Sequence, residues 1–273
     1  MQQRKITFIG SGNMTNAIIA GLISAGYPAN HITASSLTRV NRDKLVKRYG
    51  IHGKSDNNDA SRNADVIILA VKPQIIQSVC QSLKKEVNFT NKLVLTIAAG
   101  IPVKRYQEYL SPNINLVRVM PNTPSLVRQG VIGLYFMDSV SKDDKNFSIK
   151  LMESVGKVFC LSKETEINNI IAVTASAPAY FFLIMELIQQ EAERLGFDRK
   201  IARELVLYTV QGSASLAEKK TDVSFTKLRE EITSKGGTTA KALEQFYQAN
   251  LSQIVTNAMR AAIRRAEEIE KQF

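Results

Sequence analysis

The chain has 273 residues, 44% apolar and 22% charged, a composition that fits one or two globular domains and excludes a disordered or fibrous protein. Its two cysteines, Cys80 and Cys160, are too few for a disulfide framework or a Cys zinc site; both read as buried thiols, and no metal is expected. The net charge of +11 comes from scattered Lys and Arg without interleaved aromatics, which points to a basic surface for anionic metabolites rather than to nucleic-acid binding.

No apolar run approaches the roughly 18 residues of a membrane span, so no membrane partner is expected. The apolar stretch of the N-terminus is too short for a signal-peptide core, and a cytoplasmic protein is expected. Of the two histidines, His31 and His52, neither sits in a motif, so any chemistry here is expected to proceed without imidazole.

In chain order, strands are predicted over Lys5–Ile9, Ile32–Ser35, Val66–Val71, Leu93–Ala98, Leu116–Met120, Val131–Phe136 and Lys157–Leu161. Helices are predicted between them over Met14–Ala25, Asn41–Tyr49, Ile75–Leu83 and Val103–Tyr109. This alternation of β-branched runs with amphipathic stretches implies an α/β fold with a parallel, doubly wound sheet of Rossmann type.

The first strand runs into Ile9-Gly10-Ser11-Gly12-Asn13-Met14. Gly10 is suited to the tight turn and Gly12 to close approach of a pyrophosphate to the helix N-terminus. Thr15 replaces the third glycine of the usual fingerprint, which leaves the motif incomplete. An NAD site commonly places an acid near the end of the second strand, yet none occurs between His31 and Asn41. Ser36 and Arg39, with Arg42 behind, suit a 2′-phosphate instead, so NADPH is expected in preference to NADH. Ala70, Val71, Lys72 and Pro73 at one later strand end, and Ala98, Ala99 and Gly100 at another, are small or turn-forming residues that leave room for the cofactor.

After Ser162 the pattern turns helical, with helices predicted over Tyr180–Leu195, Asp198–Glu218, Phe225–Ile232, Thr239–Asn250 and Leu251–Gln272. This divides the chain into a nucleotide domain, 1–162, and an all-α domain, 163–273. Phe181-Phe182-Leu183-Ile184-Met185 is apolar on every side, which demands burial all round and favours an interlocked dimer. Near the end, Ser234-Lys235-Gly236-Gly237-Thr238-Thr239 combines adjacent glycines with hydroxyls at a helix entrance, a construction suited to a small anion such as a carboxylate.

Taken together these residues resemble the pyrroline-5-carboxylate reductase family over essentially the whole chain. The markers are Phe8 to Met14, Ala70-Val71-Lys72-Pro73-Gln74, Ala98-Ala99-Gly100-Ile101, Arg118-Val119-Met120-Pro121-Asn122-Thr123-Pro124, Pro178-Ala179-Tyr180 and Thr233 to Thr239. The resemblance implies hydride transfer from NAD(P)H to the C=N carbon of 1-pyrroline-5-carboxylate, giving L-proline. It implies a helical domain that dimerises, often into a ring of dimers. By match, Ser36 and Asn57 lie near the adenosine ribose and its phosphate. Ser234, Gly236, Gly237, Thr238 and Thr239 hold the substrate carboxylate, and the Thr239 hydroxyl lies near the ring nitrogen.

Two departures stand out. Lys235 occupies a position where the family usually has proline, and the segment before Pro178 lacks the family's glycines and reads as three residues short. Two other readings remain open. One is a non-catalytic dinucleotide-binding paralogue. The other is a 6-phosphogluconate-dehydrogenase-like NADP oxidoreductase, although no G-x-x-x-N-x-x-K spacing is present.

Overall fold

The computed structural model describes residues 2–273. Strands β1 (Ile6–Ile9), β2 (Ile32–Ser35), β3 (His52–Lys54), β4 (Val66–Leu69), β5 (Leu93–Thr96), β6 (Asn115–Met120), β7 (Gly130–Phe136) and β8 (Gly156–Leu161) form one sheet in the order β3-β2-β1-β4-β5-β6-β7-β8. The connecting helices are α1 (Asn13–Ser24), α2 (Arg39–Tyr49), α3 (Asn57–Arg62), α4 (Pro73–Glu86), α5 (Val103–Tyr109) and α6 (Lys142–Glu153). The winding direction reverses at β1, which leaves a crevice beyond the strands' carboxyl ends between β1 and β4.

The central strands are buried on both faces, as their unbroken apolar runs require. Phe8, Ile68, Leu95 and Val117 pack with Ile18 and Leu22 of α1 and Phe147 and Leu151 of α6. Ile9, Ile67, Leu69 and Val94 pack on the opposite face with Ile76, Cys80 and Leu83 of α4 and Tyr106 of α5. Burial pushes the Cys80 thiol up to about 12, which fits an inert core residue.

The structure departs from the expected all-parallel sheet at one place: β6 and β7 are antiparallel. Only residues 121–129 join them, too short a link for the crossover of a dozen or more residues that a parallel return needs. Cys160 is exposed rather than buried: it lies on the edge strand β8, where Lys157 and Phe159 are exposed as well.

The described residues fall into two compact units. One comprises residues up to Ser176 together with Ala262–Phe273; the other is Ala177–Ala261. The first unit extends past the boundary expected at 162 because α7 (Glu166–Ile170) buries Ile167, and Ile170 packs on Gly133 of β7. A π-helical turn, Ile171–Ala175, follows, closed by the Ser176 N–H donating to the Ile171 carbonyl at 2.8 Å.

The second unit holds α8 (Ala177–Arg194), α9 (Arg199–Lys219), α10 (Phe225–Glu231), α11 (Thr238–Gln248) and the first turns of α12 (Leu251–Glu270). Pro178 sits in the first turn of α8, where a missing N–H costs nothing. Contrary to the sequence reading, the helical run Glu166–Arg194 spans 29 residues with a mean hydropathy of 1.8 in its most apolar window, long and apolar enough to cross a membrane by those measures alone. Among the described residues of 177–261 only Ala202 and Val206 are buried.

Candidate active site

The cofactor candidates converge at the carboxyl ends of β1, β2, β4 and β5, all within the first unit. Gly10 has φ +111°, and a Cβ there would lie 2.4 Å from the Ala70 carbonyl oxygen, so only glycine fits between the ends of β1 and β4. The Ala70 N–H donates to the Ile9 carbonyl at 2.8 Å, and the Gly10 N–H donates to the Ser35 carbonyl at 2.8 Å. The loop is thereby pinned to both neighbouring strands.

Gly12 is the N-cap of α1 and offers no side chain to its free N–H groups. A Cβ at Gly12 would meet nothing within 4 Å, and no side chain caps the first turn of α1, so its first amides are left for a ligand or water, the arrangement that binds phosphate. Thr15 fills the place of the third glycine without spoiling the turn. It is buried, and its hydroxyl donates to the Gly10 carbonyl at 2.9 Å. The close helix contact the third glycine would give falls instead at Gly21, where a Cβ would lie 2.5 Å from the Ser154 carbonyl oxygen.

At the end of β2, Ser36 is braced by its neighbours. The Thr38 N–H donates to the Ser36 hydroxyl at 3.2 Å, and the Arg42 guanidinium donates to the Ser36 carbonyl at 3.3 Å. Asn57, at the start of α3, accepts from the Ser35 hydroxyl at 2.7 Å. Arg39 stands exposed in the first turn of α2. Val71 and Lys72 lead into α4, with Pro73 in its first turn and Lys72 as N-cap. Ala98 is buried and Ala99 exposed. Gly100 has φ +76° and lies against the end of the chain: a Cβ there would meet Ile269 at 2.4 Å.

The substrate candidates lie in the second unit. The Gly237 N–H donates to the Ser234 carbonyl at 3.0 Å, closing a four-residue turn with Gly236 at φ +73° in its third position. That is the place where a type II turn requires positive φ, while its second position, held here by Lys235, is the one proline favours. Gly237 is the N-cap of α11 and has no side chain with which to cap it; a Cβ there would strike the Ser234 hydroxyl at 2.3 Å. The first backbone bond of α11 runs from Lys241 N–H to the Gly237 carbonyl at 3.2 Å, so the amides of Thr238, Thr239 and Ala240 remain open to an anion.

Three features of the first unit escaped the sequence reading. Arg118 of β6, 2% exposed, donates to Glu164 at 2.6 Å and to Glu270 at 3.2 Å. Glu164 also accepts from the Val103 N–H at 2.7 Å, and Asn168 donates to Glu270 at 3.0 Å. Asn122, in the run between β6 and β7, donates to the Thr174 carbonyl at 2.9 Å and accepts from the Val131 N–H at 2.9 Å. The M-P-N-T-P run signalled Asn122 but gave it no partner. Finally, α1 and α2 flank a cleft of about 270 Å³ beside Ser11 and Gly12.

A family model described as pyrroline-5-carboxylate reductase dimerisation matches residues 164–269, and one described as NADP oxidoreductase coenzyme F420-dependent matches residues 5–100. A pyrroline-5-carboxylate reductase of Vibrio alginolyticus is 50% identical over 273 residues, covering 100% of both chains. One from Pasteurella multocida is 43% identical, again over 100% of both. Among solved structures, a pyrroline-5-carboxylate reductase from Coxiella burnetii superposes with a TM-score of 0.92 at 40% identity, covering 98% of this chain and 99% of that one. A pyrroline carboxylate reductase of Plasmodium falciparum with NADP bound superposes with a TM-score of 0.88 at 28% identity, covering 99% of both. The Vibrio alignment spans 273 positions, the length of this chain, so against that relative the segment before Pro178 has lost no three residues. Similarity that runs the full length of these relatives, on a fold they share, places the chain in the pyrroline-5-carboxylate reductase family.

Proposed function

We propose that the chain reduces 1-pyrroline-5-carboxylate to L-proline with NADPH, as a homodimer of cytoplasmic enzyme subunits. The observation that carries this reading is its full-length likeness to proteins named for that reaction. The glycine loop fits a dinucleotide: Gly10 admits no side chain, and the amides at the start of α1 are uncapped. Bound NADPH supplies the hydride. The absence of an acid between His31 and Asn41 removes the usual partner of a free ribose 2′-hydroxyl and supports the preference for NADPH over NADH.

The open amides of α11 hold the substrate carboxylate, with the Ser234 hydroxyl beside them. No general base is needed, because the imine nitrogen takes its proton from water and the iminium carbon then accepts the hydride. The chain's task is alignment and charge stabilisation. Thr239, in the first turn of α11, accepts a hydrogen bond from the iminium N–H on its hydroxyl oxygen.

The dimer reading is supported by the printed description of the matching helical model and by the bare apolar surface of α8, where Phe181 and Phe182 are 64% and 65% exposed in the single chain. The test mixes protein, NADPH and pyrroline-5-carboxylate and follows the absorbance of the reduced cofactor. Thr239→Ala is expected to lower kcat by about 10- to 100-fold while NADPH binding survives. Unchanged turnover would remove Thr239 from the mechanism. A native protein that binds NADPH but never oxidises it would point to the non-catalytic paralogue.

A further inference from the structure

The segment that follows β5 is gripped at both ends by a polar network. The Ala98 N–H donates to the Thr96 hydroxyl at 3.3 Å, and Thr96 pairs with the buried Tyr106 hydroxyl at 2.6 Å. Where α5 begins, the Val103 N–H donates to Glu164 at 2.7 Å. Glu164 and Glu270 share the guanidinium of Arg118, and Asn168 donates to the second oxygen of Glu270 at 3.0 Å. Between the two fixed ends, Ala99 is exposed. The middle of the segment is covered by the last turn of α12: Gly100, at φ +76°, has Ile269 where a Cβ would stand. Phe273 packs on the core face that holds Ala98 and Ile101. A carboxylate fastened through both oxygens to two buried donors is a stiff anchor, so Glu270 fixes the turn that carries Ile269.

We propose that Glu270 is a positioning residue for hydride transfer: through Ile269 it holds residues 98–100 in place against the nicotinamide half of the cofactor. The inference rests on the reductase reading above. The order of the sheet supports the placement. In a doubly wound sheet a dinucleotide lies across the point where the strand order reverses, one half on each side. Ser36, at the end of β2, is on the adenosine side, whereas residues 98–100 follow β5, on the other side of β1. Arg118, only 2% exposed, takes up both carboxylates of the network. Glu270 therefore acts through the backbone it places and not by contact with the reacting atoms.

Calorimetric titration of the full-length protein with NADPH and with 2′,5′-ADP, which lacks the nicotinamide half, tests the assignment. Glu270→Gln keeps the size of the side chain but turns an amide NH2 toward Arg118 or Asn168, both of them donors there. It is expected to lose about fivefold or more in affinity for NADPH relative to 2′,5′-ADP. A purely structural role would weaken both nucleotides alike or neither. Ile269→Ala, which leaves both ion pairs of Arg118 in place, is expected to show the same selective loss. A smaller selective loss in either variant, or an equal loss for both nucleotides, overturns the assignment. If circular dichroism shows that Glu270→Gln does not fold, Ile269→Ala alone decides by the same criterion. A protein that reduces pyrroline-5-carboxylate with NADPH but shows one of the overturning outcomes keeps the reductase reading and loses this one. A protein that shows the selective loss but reduces no imine does the reverse.

Discussion

At the scale of single residues, the first unit is held in part by half-buried charges that are paired. Asp144 accepts from Arg4, from Asn115 at 2.7 Å and from Ser141 at 3.0 Å. Burial alone would raise its carboxyl, but these hydrogen bonds and the Arg4 charge together hold it below the ordinary range. A depressed folded pKa contributes stability above the unfolded value of about 3.9 and loses it as pH falls through the folded value. Asp144→Asn is therefore expected to cost about 1–3 kcal/mol at pH 7, with the gap from native narrowing in acid as pH falls through the lowered folded value. Urea unfolding of both proteins at pH 7 and in acid checks it; a gap that persists in acid would show the loss to be packing rather than charge. None of this was visible in the sequence, where Asp144 is one acid in a solvated run. Gly10 and Gly12, by contrast, were readable, because a turn that excludes a side chain leaves its mark as residue type.

At the scale of elements, what was legible followed burial. β1, β4 and β5 are buried throughout and apolar but for Thr7 and Thr96, and their pattern located them. β3 went unread because His52, Gly53 and Lys54 are all exposed and carry no pattern. α3 has six residues, too few for a helical period to show. α6 was missed although its signals were present: the Ser141 hydroxyl accepts from the Asp144 N–H as an N-cap, and Phe147 and Leu151 share its buried face. The turn before α11 explains the family's proline at Lys235. The Lys235 N–H makes no hydrogen bond among the described residues, and its place in the turn is one that proline pre-sets. Lys235→Pro is expected to raise stability by about 0.4–1 kcal/mol, chiefly by restricting the unfolded chain. Thermal melts of the pair measure it, and a lowered Tm would show that the turn has a different backbone geometry.

At the scale of the whole molecule, the helical unit has almost no interior of its own. Leu183, Leu187 and Ile188 of α8 are each about half exposed, at 53%, 52% and 51%. A patch of this kind on a single chain marks a surface made to be covered. Leu183→Asp/Ile188→Asp is expected to reduce the solution mass to that of one 30.3 kDa chain and to lower Tm by several degrees or more, on the order of that expected for lost apolar burial. Light scattering reads the mass; an unchanged oligomer would move the interface off α8. The apolar run in the sequence announced this demand, but not where the partner surface lies, because no pattern within one chain encodes the shape of another.

The contact between Arg118 and Glu270 spans 152 positions of the chain, and it sets an order of events during synthesis. A ribosome adding about 5–20 residues per second needs roughly 8–30 s to travel from one partner to the other. Through that interval the nascent nucleotide unit can pair Arg118 with Glu164, but it lacks the closing turn that lies over Gly100 and carries Glu270. The helical residues, with their uncovered apolar surface, emerge before the unit that precedes them is complete. Completion of the N-terminal unit thereby waits on residues made after the helical unit, and a chain that has not reached Glu270 holds a buried cation short of one of its two carboxylates.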